Sequence, residues 1–239
     1  MNIALIGYGK MGKTIEAIAL QRGHAVNLKI DIDTLALFTK ENLQSCDVAI
    51  EFTGPHTAKT NILYCFDAGI PIVSGSTGWL QDWALVESAC KEKNGSFLYA
   101  SNFSVGVNIF FELNKKLAEL MKQQALYEVS IEETHHTQKK DAPSGTAITL
   151  AENILLENGQ KKKWVNDKLA SVDELLITSK RIDPAPGTHS VKYSSPIDDI
   201  EIIHTAHSRE GFALGAVLAA EYIVDKKGIF TMQEILGLS

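Results

Sequence analysis

The sequence predicts an α/β protein: an N-terminal Rossmann-like domain on a parallel sheet, and a C-terminal α+β domain with an open mixed sheet. Three observations predict it. Short apolar strands and amphipathic helices alternate over the first hundred residues, the pattern of a parallel sheet covered on both faces. The glycine-rich turn Gly7-Tyr8-Gly9-Lys10-Met11-Gly12 joins the first strand to the first helix. After Asn102 the pattern changes, and late in the chain strand candidates follow one another without intervening helices.

The elements follow in order. Ile3 to Ile6 is a strand ending in glycine, and Thr14 to Arg22 carries Ile15, Ile18 and Ala19 at helical spacing. Ala25 to Ile30 and Val48 to Phe52 are strands, and Ile62, Leu63 and Phe66 mark the next helix. Ile70 to Ser74 is a strand, Leu85, Val86 and Ala89 stripe a helix, and Phe97 to Ala100 closes the series. Val105 to Met121 is a long helix with Ile109, Leu113, Leu117 and Leu120 on one face. Tyr127 to Thr134 alternates with the period of a half-buried strand, Val129 and Ile131 one way and Ser130 and Glu132 the other. A helix from Gly145 to Leu156 precedes a lysine run, Lys161 to Lys163, and a short helix at Val172 to Leu176. Leu176 to Ile182, His189 to Ser194 and Ile200 to Ala206 are strands, and Phe212 to Val224 is an apolar helix that packs back on the first domain. The domains are 1–104 with 211–239, and 105–210.

A length of 239 residues suits two modest domains. The net charge of -6 disfavours nucleic acid and acidic membranes as partners. Cys46, Cys65 and Cys90 form no CxxC pair, so they read as buried thiols in a reducing compartment. The N-terminal apolar run is too short for an export signal. Phe212 to Val224 falls short of the roughly 20 residues of a membrane span. A soluble, cytoplasmic protein is expected.

Gly7 to Gly12 fits G-x-G-x-x-G, whose glycines allow the tight turn, the approach of a pyrophosphate and close helix–strand packing. Phosphates then meet the unpaired amides of the helix N-terminus. Asp31, at the end of the second strand, is placed to accept from a ribose, with Asp33 close by. Ile32 follows Asp31 and no arginine stands there for a 2′-phosphate, so the reading leans towards NADH over NADPH, with Lys10 and Lys13 near the phosphates. Gly75-Ser76-Thr77 and Ala100-Ser101-Asn102-Phe103 follow strand ends, where such sheets bind ligands, although each in isolation is an ordinary loop.

The segment from Glu132 to Ala147 holds the densest chemistry. His135, His136 and Lys139 leave a strand end, and Ser144, Gly145 and Thr146 open a helix. Small residues at a helix start expose amide donors to an anion, and a histidine near neutrality exchanges protons. The plainer alternatives are an N-cap and a surface histidine pair. A metal is not expected, because adjacent strand residues diverge and no third ligand has suitable spacing.

At these residues a resemblance enters. GYGKMG, GSTGW, ASNFSVGVN and the run from His135 to Ala147 resemble the dihydrodipicolinate reductase family, whose motif reads E-x-H-H-x-x-K-x-D-A-P-S-G-T-A; the likeness extends through His204 to Ala216. The resemblance implies reduction of 4-hydroxy-tetrahydrodipicolinate to tetrahydrodipicolinate with NADH or NADPH in lysine biosynthesis, and a homotetramer. It implies that Gly7 to Gly12 hold the pyrophosphate and Asp31 the ribose, while Gly75 to Thr77 and Ala100 to Phe103 line the nicotinamide. His135 becomes the general acid/base and Lys139 the proton donor. His136, Ser144, Gly145 and Thr146 grip the carboxylates of a small dicarboxylate. Binding across two domains implies closure, with hinges near Asn102 to Gly106 and Ser208 to Phe212.

Two segments depart from the family pattern. Thr137 and Gln138 stand where many members place a basic residue. Arg181 to His189 carries Asp183 and Pro184 where a glycine is common, so Arg181 and His189 stay outside the candidate site. The competing readings are another two-domain Rossmann oxidoreductase, and a cofactor-binding sensor without turnover.

Overall fold

The computed structural model describes residues 1–166 and 171–238. The chain divides into two compact units, Met1–Val105 with Arg209–Ser239, and Gly106–Ser208.

The first unit runs β1 (Asn2–Ile6), α1 (Lys10–Gln21), β2 (Ala25–Ile30), α2 (Lys40–Gln44), β3 (Val48–Glu51), α3 (Ala58–Ala68), β4 (Ile72–Ser74), α4 (Trp83–Glu92) and β5 (Ser96–Tyr99). Next come α5 (Val105–Met121), β6 (Glu128–His135), α6 (Gly145–Glu157), β7 (Lys163–Asn166), β8 (Glu174–Arg181), β9 (Gly187–Ser194) and β10 (Asp199–Ala206). The chain then rejoins the first unit with α7 (Glu210–Ile223), β11 (Gly228–Phe230) and α8 (Met232–Leu236).

The sheet of the first unit has strand order β11-β5-β4-β3-β1-β2, and every pairing is parallel. Strand alternation explains its apolar runs. Ile3 and Leu5 of β1 enter one core, with Ile15 and Ala19 of α1 and Ala216 and Val217 of α7. Ala4 and Ile6 enter the opposite core, with Ile62 and Phe66 of α3 and Val86 of α4. Successive side chains point to opposite faces, so a strand covered on both faces needs an unbroken apolar run. Each Ile or Leu buried this way contributes roughly 1.5–3 kcal/mol. Cys46, Cys65 and Cys90 are free thiols in this unit, all buried.

The second sheet has the order β10-β9-β6-β8-β7. It is mixed: β6–β9 and β9–β10 are antiparallel, β6–β8 and β7–β8 parallel. Val129 and Ile131 of β6 face the core with Leu175, Ile177 and Val191, under α5 and α6.

Two details differ from the sequence reading. In α5 the buried residues are Val107, Asn108, Phe110, Phe111, Asn114, Ala118 and Met121, whereas Ile109, Leu113 and Leu120 are exposed. Both stripes have helical spacing, and the two phenylalanines claim the core by volume. Asn114 Nδ2 donates there to the Leu150 carbonyl at 3.0 Å. Residues 172–173 form a turn, and Glu174 already belongs to β8, because Leu175 and Ile177 reach the core only in extended chain. Within the lysine run Lys162 and Lys163 are exposed, whereas Lys161 is buried, pairs with Glu128 and donates to the Val172 and Glu174 carbonyls at 2.9 and 3.0 Å.

Candidate functional site

In the first unit, the glycine turn is dictated by close approach. A Cβ on Gly7 would lie 2.3 Å from the Phe52 carbonyl oxygen, and one on Gly12 2.3 Å from the Gly7 carbonyl oxygen. Gly7 also has φ +96, a left-handed conformation that favours glycine. Gly9 has nothing within 4 Å of that position. It is the N-cap of α1 and brings no side chain to the first amides. Lys10 and Lys13 are exposed and Met11 is half-buried. The Tyr8 hydroxyl donates to Glu16, which pairs with Lys29 at 2.5 Å. Asp31 is exposed at the end of β2, and its carboxylate accepts from the Ile32 amide at 2.9 Å.

Phe52, which follows β3, joins three of the candidate segments. Its carbonyl lies against Gly7, its ring would be 2.2 Å from a Cβ on Gly75, and its centroid is 5.6 Å from that of Phe103. Beside it Glu51 is fully buried. Its carboxylate accepts from Ser74 Oγ at 2.6 Å, Ser76 Oγ at 2.7 Å, the Thr53 amide at 2.8 Å and the Thr53 hydroxyl. The loops after β3 and β4 are thereby tied to one anchor. Thr77 and Ser101 are exposed, the Ala100 amide donates to the Ser74 carbonyl at 3.3 Å, and Asn102 Oδ1 accepts from the Ser104 amide. Sequence reasoning missed Glu51 and Phe52. The available signal was an acid closing an apolar strand, at the sheet end where ligands bind.

In the second unit, β6 alternation sends Glu133 and His135 to the same buried face. Glu133 is 0% exposed and His135 8%. His135 Nδ1 lies 3.3 Å from Glu133 Oε2, which also accepts from the Ser144 amide at 3.0 Å. Glu133 Oε1 accepts from Arg181 Nη2 at 3.2 Å. Burial opposes the charge on Glu133, but its polar contacts with His135, Ser144 and Ser179 outweigh it and hold the carboxyl well below the usual carboxylate range.

Ser144 caps α6, its Oγ accepting from the Ala147 amide at 3.2 Å, and His189 Nε2 sits 3.0 Å from the same Oγ. Burial pushes the His189 imidazole down to about 4; His135 acts in the same direction and Glu133 opposes. Gly145 is exposed with nothing within 4 Å of its Cβ position, and Thr146 is half-buried. Lys139 Nζ donates to both Asp141 oxygens, at 2.9 and 2.8 Å, and the Asp141 carbonyl accepts from Arg181 Nη2 at 2.7 Å. A continuous set of contacts therefore runs from His135 through Glu133, Arg181 and Asp141 to Lys139. His136 follows the end of β6, half-buried, and no described contact brings its ring into this set.

Arg181 and His189, set aside on sequence grounds, thus touch Glu133 and Ser144. Antiparallel pairing of β9 with β6 brings Glu133 opposite His189, and parallel β8 brings Arg181 opposite His135. Glu133, His135 and His189 also offer ligand atoms within 4.8 Å of one another. The third ligand that spacing did not reveal comes from β9. Arg181 already compensates the carboxylate, however, and would face any added cation.

Comparison with known proteins gives a consistent set of matches. The family model described as dihydrodipicolinate reductase, N-terminus, matches residues 1–103, and that described as dihydrodipicolinate reductase, C-terminus, matches residues 106–236. The chain is 55% identical over 239 residues to the 4-hydroxy-tetrahydrodipicolinate reductase of Christiangramia forsetii, covering 99% of this chain and 98% of the relative. It is 34% identical to that of Methanocaldococcus jannaschii, covering 98% and 81%. Among solved structures, the dipicolinate-bound dihydrodipicolinate reductase from Paenisporosarcina sp. TG-14 shares the fold, with TM-score 0.77 and 22% identity over 98% of each chain.

Proposed function

The chain belongs to the dihydrodipicolinate reductase family, and from that premise we propose that it reduces 4-hydroxy-tetrahydrodipicolinate to tetrahydrodipicolinate, with loss of water, in lysine biosynthesis. It is an NAD(P)H-dependent oxidoreductase, and its N-terminal domain binds the nicotinamide cofactor. The observation that carries the residue-level reading is the buried Glu133 carboxylate, which contacts both the His135 imidazole and the first turn of α6.

The glycine turn fits a dinucleotide, because Gly9 leaves open space above uncapped helix amides. Gly7 to Gly12 (with Tyr8, Lys10 and Met11) hold the pyrophosphate, Asp31 the ribose hydroxyls, and Gly75 to Thr77 with Ala100 to Phe103 the nicotinamide end. When bound, the cofactor supplies the hydride, and the protein orients it. In the second unit, His136, Ser144, Gly145 and Thr146 grip the two carboxylates. The α6 N-terminus adds its partial positive charge to that grip. Lys139 delivers the proton that accompanies reduction, and His135 acts as general acid/base.

The finer assignments belong to the same proposal. NADH is used at least as well as NADPH, since Ile32 after Asp31 offers no cation to a 2′-phosphate. The protein works as a cytoplasmic homotetramer; among the described residues no helix is long and apolar enough to cross a membrane. The test is an assay following nicotinamide absorbance, with substrate formed from pyruvate and aspartate semialdehyde. Absence of substrate-dependent oxidation of either cofactor would refute the reading.

A further inference from the structure

We infer that Glu133 is the positioning residue of His135, holding its imidazole with Nδ1 towards the carboxylate so that Nε2 is the atom that exchanges a proton. The inference rests on the reading of His135 as the acid/base group and adds the residue that orients it.

Four observations carry it. Glu133 lies two residues before His135 on the same strand face and is wholly buried. Its Oε2 stands 3.3 Å from Nδ1, and among the described residues that nitrogen has no formed hydrogen bond. The separation is slightly longer than a formed hydrogen bond, and such contacts tighten when substrate binds. The carboxylate itself has little freedom, because the Ser144 amide and Arg181 Nη2 hold its two oxygens.

The opposite edge of the ring is the third observation. Residue 187 is a glycine with φ +154, and a Cβ there would come within 3.1 Å of His135 Nε2 and 3.3 Å of Cδ2. Any side chain at that position would press on the edge that must stay open. Fourth, the neighbouring His189 ring packs edge-on at 5.0 Å, but its Nε2 is engaged with Ser144 Oγ and stands 3.8 Å from Glu133. His189 therefore leaves the Glu133 oxygen to His135.

The chemistry follows from the inventory of a histidine. A proton on Nδ1, facing the carboxylate, leaves Nε2 with the lone pair in the neutral ring and with the transferable proton in the imidazolium. The same Glu133 oxygen fixes the α6 amide, so the proton-exchanging atom and the carboxylate-gripping turn share one anchor.

The test uses the full chain with histidine selectively labelled with nitrogen-15, comparing wild type, Glu133→Gln and Arg181→Gln. NMR of wild type should show neutral His135, assigned from the His135→Gln spectrum, protonated on Nδ1. In Glu133→Gln that tautomer should give way to a mixture, and kcat should fall by about tenfold or more while KM stays within about threefold. Arg181→Gln, which keeps the carboxylate, should retain the tautomer. An Nε2-protonated neutral ring in folded wild type overturns the inference even if the Glu133 variant does not fold. So does an Arg181→Gln variant that reproduces every loss. If His135→Gln keeps full kcat, the acid/base reading fails instead, and the tautomer measurement stands apart from it.

Discussion

Thr137 and Asp183 meet: the Asp183 carboxylate accepts from the Thr137 amide at 3.1 Å and from its hydroxyl at 2.5 Å. These are the two places where the sequence departs from the family pattern it resembles. The structure joins them across 46 residues. Thr137 begins the loop that leads to Lys139, and Ile182 of the partner loop donates to the His135 carbonyl at 2.8 Å.

Asp183→Ala is therefore expected to loosen the Lys139 loop without touching the cofactor turn. Steady-state kinetics should show KM for the dicarboxylate rising by about fivefold, with KM for the nicotinamide unchanged. Equal changes in both constants would remove the loop from the explanation.

Stability should depend on pH through His189. Its folded-state value is pushed down to about 4, from 6.5. Between those values the unfolded chain binds a proton that the folded one does not, so stability is full above about 6.5 and is lost as pH falls towards 4. The loss is on the order of 3 kcal/mol at most. Glu133, whose carboxyl is held low, adds a further loss at lower pH, below the ordinary carboxylate range. Denaturant melts of wild type and His189→Gln between pH 7 and 4 check this, and the variant should show the flatter profile.

His135→Gln should lower kcat by about a hundredfold and KM little, because general acid–base groups contribute typically 10²–10⁴-fold. An unchanged kcat would remove His135 from proton transfer.

Gly75→Ala places a methyl group 2.2 Å from the Phe52 ring. Overpacking of this kind costs about 1–3 kcal/mol, and the ring that moves also touches Phe103. Weaker NADH binding, measured by fluorescence titration, should accompany a lowered melting temperature.

Cofactor choice provides the last prediction. Wild type should show kcat/KM for NADH at least equal to that for NADPH, and Asp31→Arg should invert the order. A strong wild-type preference for NADPH would assign the choice to Lys10, Lys13 or Lys29.

The sequence by itself determined what is local. The unbroken apolar run of β1 required a doubly covered strand, and the spacing of Gly7, Gly9 and Gly12 defined the turn. The alternation of Val129, Ile131 and Glu133 is readable within a single strand, as is the segment from His135 to Thr146. Tertiary structure decided which stripe of α5 is buried, since Ile109 and Leu113 have the same helical period as Phe110 and Phe111 and only packing volume separates them. It also decided that Arg181 and His189 belong beside Glu133 and that Phe52 links Gly7, Gly75 and Phe103. These partners lie tens of residues apart and meet through strand pairing. A buried carboxylate finds its donors in space, and spacing along the chain carries no record of that pairing.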